Sequence, residues 1–300
     1  MIWSAEFWRT MRSARVVVLL VLYVMFTGLA LLVVNGFAQG LRTQVARMEE
    51  QARSRGASDE EITEAKAKAR KEFISTFFSN DEEMTEALAA IPLVLLIVFK
   101  ASLRFLPLFT GVMGFDQISG EVGPRSIRYL AVRSRRSSVL LGKFLAQLTL
   151  LAALTLVVNL ALVLFGLATN TDFGAGAVFG TLGKFWLSAM VMSLAYLALT
   201  TLCSSVFRQP GVSLVMNLIA LFTIWVMAQV GDVAGDTDLR GRIIETTSPL
   251  GYLRFLSAWH YSADLLHPVL SRWGVAALAH LGFAALFLGA AYLVVRERDL

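Results

Sequence analysis

Residues 118–143 read ISGEVGPRSIRYLAVRSRRSSVLLGK, a basic loop set between two long apolar segments. The stretch carries Arg125, Arg128, Arg133, Arg135, Arg136 and Lys143 against a single acid, Glu121. A short loop this rich in Lys and Arg is held on the cytoplasmic side of a membrane, so it orients the chain if its flanks are spans. Composition says that they are. At 56% hydrophobic and 16% charged residues, with a mean hydropathy of +0.65, a soluble domain of 300 residues would expose too much apolar surface. The net charge of +5 sits beside apolar runs, which suits topology and anionic headgroups rather than nucleic acid. Cys203 is the only cysteine, so neither an intramolecular disulfide nor a Cys-based metal cluster can form.

A hydrocarbon core of ~30 Å needs about 20 apolar residues per helix. The sequence predicts an all-α membrane protein with six such spans, near 16–38, 87–115, 139–168, 185–207, 212–230 and 273–295. The first run is long enough to be retained as a span rather than cleaved as a signal. Arg208-Gln209-Pro210-Gly211 makes a tight turn between spans four and five. Arg9, Arg12 and Arg15, the 118–143 loop, Arg208, Arg296 and Arg298 all fall inside, with both termini cytoplasmic. The segments assigned outside, near 40–86 and 231–272, carry more acids than bases.

The chain therefore reads as one transmembrane domain over 1–300, with three appendages besides the basic loop. Residues 1–15 place Trp3, Phe7, Met11 and Ala14 on one side of a helix and Glu6, Arg9, Arg12 and Ser13 on the other. That pattern fits an interfacial amphipathic helix, or simply a basic flank before span one. Residues 40–80 predict an extracytoplasmic helical hairpin. Leu41, Val45, Met48 and Ala52 form one stripe, Gly56 ends it, and Ser58-Asp59-Glu60-Glu61 has the form of a capping box opening the next helix. Ile62, Ala65, Ala69 and Phe73 make the second stripe, facing either its partner helix or an external protein. Asp81, Glu82, Glu83 and Glu86 suit the start of span two. Residues 248–271, with Tyr252, Phe255, Trp259 and Tyr261, suit the membrane interface just before the last span.

The loop's wording resembles the cytoplasmic loop of ABC-2 type transporter permeases, the membrane subunits of a large class of ABC exporters. Ile118-Ser119-Gly120-Glu121 matches the family's I-S-G-E opening, Gly123 and Ser126-Ile127 approximate its centre, and Arg136 takes its arginine. Leu140-Leu141-Gly142-Lys143-Phe144 matches the close. The interfacial first helix, six spans and a re-entrant or interfacial hairpin before the last span extend the likeness. The resemblance implies two permease chains, as homo- or heterodimer, paired with cytoplasmic ATPase subunits that hold ATP and Mg²⁺. It places the coupling element in 116–138, on Asp116, Ser119, Gly120, Glu121, Arg125, Arg128 and Arg136. Glu121 either meets a basic groove on the ATPase or pairs with Arg125 one turn on.

No G-x-x-x-x-G-K-[ST] phosphate loop occurs, since Gly183-Lys184 and Gly142-Lys143 lack the upstream glycine and the following Ser or Thr. The chain is thus expected to be a transport subunit of a cell (inner) membrane with no ATPase site, no catalytic residues and no cofactor of its own. His260, His267 and His280 form no H-E-x-x-H pattern, and no metal is expected. The rival readings are an ATP-independent channel or carrier and a membrane anchor for an extracytoplasmic machine. Internal repeats and broken helices, expected of carriers, are not found in the sequence. Lys100 and Arg104 lie four apart inside span two, on one helix face. Intramembrane cations cost about 2.5–3.5 kcal/mol on insertion scales. They line a substrate pathway, or the hydrocarbon boundary lies further along the helix than the apolar run suggests.

Overall fold

A computed structural model describes residues 2–12, 17–18, 20–26, 28–29, 47, 50, 54, 58–77, 81–89, 91, 93–122, 135–169, 175–236 and 249–297. Every regular element among them is helical, and no strand occurs among the described residues. We number the helices α1 Ile2–Met11, α2 Asp59–Phe77, α3 Glu82–Ala89, α4 Leu93–Gly114, α5 Arg136–Thr169, α6 Ala175–Val206, α7 Pro210–Asp236 and α8 Leu270–Glu297. Between α4 and α5 lies one helical turn, Ser119–Val122, carrying part of the I-S-G-E stretch. Among the described residues four helical stretches are long and apolar enough to cross a membrane: Arg136–Ala161, Phe179–Val206, Pro210–Ala234 and Leu270–Glu297. They cover predicted spans three to six. Predicted span one is described only as helical positions up to 29, and the rest of it lies outside the described residues.

Predicted span two differs from its expected form. Helix α3 ends at Ala89 and α4 begins at Leu93, with Pro92 between them. Proline supplies no amide hydrogen and pushes its predecessor out of the helical region, so a continuous helix from 87 is interrupted. The acids placed at the start of this span cap α3 instead: Asp81 Oδ1 accepts the amide of Glu83 at 3.1 Å.

The chain divides into two compact units, 1–22 with 103–158 and 186–300, and 23–102 with 159–185. In the second unit α2 and α3 pair through Lys71 and Glu86, at 2.8 Å, and Arg70 donates to the carbonyl of Ile91 at 2.7 Å. Ile62 and Ile74 are buried, whereas Ala65 and Ala69 of the predicted stripe are exposed. The predicted first helix of this hairpin lies largely outside the described residues. In the same unit Phe99 stacks on Phe185 with ring centroids 4.0 Å apart.

In the first unit α6 is the most enclosed of the four long helices, and α7 and α8 keep broad apolar faces exposed. Phe144 of α5, Leu197 and Ala198 of α6 and Ala284 of α8 form one core cluster. Ile118, Leu140, Ala291 and Val295 form another directly at the loop. The segment before α8 is not a helical hairpin but three 3-10 turns, Pro249–Leu256, His260–Ser262 and Asp264–Leu266. The last of these stops at His267, whose ψ of 136° is extended because Pro268 follows. Ser257 donates to the carbonyl of Ile224 at 2.6 Å. Ile224 lies inside the apolar stretch of α7, so the turns run alongside that helix rather than beyond its end.

Candidate functional site

The I-S-G-E turn is built from the inside out. Phe115, Asp116, Gln117 and Ile118 leave α4 as a turn, and the chain re-enters helix at Ser119. A turn this short leaves amides without helical partners, and α6 supplies one. Ser204 Oγ accepts the amides of Ile118 at 2.9 Å and Ser119 at 3.1 Å. Ser119 Oγ and Ser213 Oγ both donate to the carbonyl of Phe115, at 3.0 and 2.7 Å. Helices α6 and α7 thus hold the turn by hydrogen bonds, with Ile118 wedged against α5 and α8.

Glu121 points into the protein. Its side chain is 7% exposed, and its Oε1 takes Lys143 Nζ at 2.8 Å and Arg9 Nη1 at 2.8 Å. Lys143, 3% exposed, also reaches Glu6 Oε1 at 3.0 Å, and Arg9 stands 3.6 Å from the same oxygen. Among the described residues two carboxylates and two cations, drawn from α1, the turn and α5, meet here, and the charge of Asp116 also acts on Arg9. Burying a charge without a partner is costly, and removing one partner of a buried pair costs about 3–5 kcal/mol. Lys143 has two partners, so loss of either acid alone falls below that range.

Helix α1 meets α5 with its charged side, the reverse of the ordinary arrangement in which polar residues face water. Ile2 and Glu6 turn toward α5, and Trp3 Nε1 donates to Thr149 Oγ1 at 3.1 Å. Trp8 and Met11 are left exposed on the other side, at 60% and 42%. Gly142 permits the approach. A Cβ at this position would stand 2.8 Å from Ile2 Cγ2 and 3.1 Å from Ile2 Cβ.

The predicted coupling residues are placed as follows. Asp116, Ser119 and Glu121 are buried and Gly120 is half-buried, its amide bonded to the Asp116 carbonyl at 2.9 Å. Arg136 lies across the end of α8, donating to the carbonyls of Val295 and Arg296. A cation there complements the negative end of the helix. Arg125 and Arg128 lie outside the described residues. What the sequence missed is Glu6, Arg9 and Ser204, which are remote from the loop in the chain and carry no local signal linking them to it.

Of the two cations singled out in span two, both lie on α4 as expected. Arg104 is exposed, and its guanidinium sits over the Trp259 ring at 5.0 Å. That contact is a cation–π pair with a residue of the segment before α8. Lys100 is half-buried. The histidines take separate places. His260 Nδ1 stands 3.2 Å from Asp232, His267 Nδ1 accepts the amide of Val269, and His280 Nδ1 meets the carbonyl of Ala276 at 2.8 Å.

A family model described as ABC-2 family transporter protein matches residues 1–300. No curated protein matches the chain.

Proposed function

Because the chain belongs to the ABC-2 transporter family along residues 1–300, and so is a membrane permease of the ABC-transporter kind, we propose that it is one of two paired spanning subunits of an exporter driven by a separate cytoplasmic ATPase. The full arrangement has six spans with both ends inside a cell (inner) membrane. ATP and Mg²⁺ reside on the ATPase. The segment 116–138 seats on that subunit, with Asp116, Ser119, Gly120, Glu121, Arg125, Arg128 and Arg136 coupling it to the spans.

One observation supports this reading above the others: the turn at Ser119–Val122 is held by α5, α6 and α8 together. Force delivered to such a turn reaches three helices at once. A loop serving only as a connection between spans has no need of that anchoring. Lys100 and Arg104 are proposed to line the path of an acidic substrate or headgroup, in keeping with the rarity of intramembrane cations without a role.

Co-purification from the native membrane, followed by ATP hydrolysis in liposomes, tests the reading. We expect a stoichiometric ATPase, hydrolysing faster in the complex than alone. Inserting residues between Gly123 and Pro124 is expected to release the ATPase or to return its rate to that of the isolated subunit. An insertion variant with wild-type binding and wild-type stimulation rejects the seat. Lys100→Leu with Arg104→Leu is expected to keep the ATPase bound while reducing transport of any compound that stimulates hydrolysis in the wild type. Undiminished transport removes both residues from the path.

A further inference from the structure

We propose that Gly142 and Lys143 form a socket that locks α1 to the I-S-G-E turn, so that α1 moves with the loop as part of the coupling device. The inference deepens the proposed function and rests on its placement of the ATPase seat at 116–138.

Three features carry it. Lys143 is almost fully buried, yet it bonds acids from two separate elements, Glu6 of α1 and Glu121 of the turn. Arg9 then returns from α1 to the same Glu121 oxygen, so the two elements are joined by one direct contact and one bridged through Lys143, both charge-assisted. Gly142, one residue earlier, has no side chain to keep Ile2 away. Adjacent positions on α5 thus supply the space and the charge for a single docking event.

The mechanical consequence follows from burial. If the turn shifted while α1 stayed in place, Glu121 would leave Arg9 behind, and Lys143 would be stretched between two separating acids. Glu121 and Lys143 are both buried, so separating them from their partners leaves a charge poorly solvated, and that penalty favours joint movement. Ser204 and Ile118 meanwhile bind the far side of the turn to α6, α5 and α8. On the other side of α1, Trp8 and Met11 stand exposed. The contacts to Glu121 and Lys143 are therefore the ones through which a shift of the turn reaches α1. Lys143, Glu6 and Arg9 are positioning residues on this account, acting through Glu121.

A nitroxide on a cysteine at Ala5, an exposed position of α1, tests the proposal in a Cys203→Ala background. A second label at Ser134 reports on the loop. Without nucleotide, Lys143→Met and Gly142→Val are expected to mobilise the Ala5 label, whereas Lys143→Arg restores the wild-type spectrum. An immobile Ala5 label in Lys143→Met overturns the socket. In the ATPase complex in liposomes, Mg-ATP with vanadate is expected to change both labels of the wild type, but only the Ser134 label in Lys143→Met. A response at Ser134 with silence at Ala5 in the wild type defeats the inference and leaves the ATPase seat standing. Silence at both labels defeats the seat itself. Should Lys143→Met fail to fold, Glu6→Gln leaves Lys143 its Glu121 partner and is expected to give a partial form of the same loss. A wild-type response from Glu6→Gln together with Gly142→Val rejects the proposal.

Discussion

Gly231 shows how one absent side chain shapes the packing of α7 against the segment before α8. A Cβ there would stand 2.7 Å from Arg254 Cβ and 2.8 Å from its Cα, atoms that have no rotamer to escape into. The close approach lets the turn Pro249–Leu256 lie against α7, where Ser257 finds the Ile224 carbonyl and His260 finds Asp232. Overpacking of a tight contact costs about 1–3 kcal/mol. Gly231→Ala is therefore expected to lower the thermal midpoint of the purified protein in detergent, while Gly211→Ala, with open space around its Cβ, serves as a control. Equal midpoints for the two variants would show that the turn does not keep this approach in solution. Gly142 differs in kind, because its nearest neighbours belong to the Ile2 side chain. Ile2→Ala is accordingly expected to relieve Gly142→Ala.

At the scale of elements, α2 and α3 show which local rules governed the chain. Ser58 and Glu61 form the expected capping box. The Ser58 amide donates to Glu61 Oε2 at 2.9 Å, and the Glu61 amide donates to Ser58 Oγ at 3.3 Å. Ser58→Ala removes a cap of about 1 kcal/mol, seen as faster amide hydrogen exchange in the first turn of α2. The pairing of α2 with α3 adds a pH dependence. The hydrogen bond from Lys71 and its charge hold the Glu86 carboxyl below its usual range, and the same contact with Glu86 raises the Lys71 ammonium. A depressed carboxyl contributes stability above its unfolded pKa and loses it as pH falls through the folded value. A raised ammonium contributes below its unfolded pKa and loses it as pH rises through the folded value. Exchange protection of α3 is thus expected to be flat at neutral pH and to decline at both the acid and the strongly alkaline ends. Both groups are exposed, so salt should flatten the profile. A salt-independent profile, or one unchanged in Glu86→Gln, would assign the protection to packing alone.

At the scale of the whole molecule the testable property is sidedness. Reporter fusions after Gly56 and Thr237 are expected to read outside, and fusions at Ser134 and Gln209 inside. An inside signal at Gly56 would break the six-span arrangement, because the basic loop would then face the wrong way. The four described stretches of spanning length agree with spans three to six. The predicted second span became α3 and α4, a change written locally in Pro92.

The sequence by itself determined whatever depends on neighbours within a few residues. Hydropathy over windows of about 20 residues set the helical class and the long spans. The Ser58–Glu61 cap was legible because its partners lie within one turn, whereas the turn read at 208–211 is shorter than expected, since Pro210 already opens α7. The I-S-G-E stretch was recognisable as a motif, but its chemistry was not. At helical spacing Glu121 had Arg125, which lies outside the described residues; the bonds the structure describes go to Lys143, 22 positions away, and Arg9, 112 away. Lys143 and Glu6 are 137 positions apart. Buried ion pairs follow from which surfaces the helices bring together, and no periodicity in one segment records the charge of another. Tertiary structure alone decided that α1 docks by its charged side, that Ser204 caps the turn, and that a glycine and a lysine on α5 receive them. The physical reason is shared by all three. Each satisfies a buried charge, a free amide or a close approach that exists only once the helices are packed.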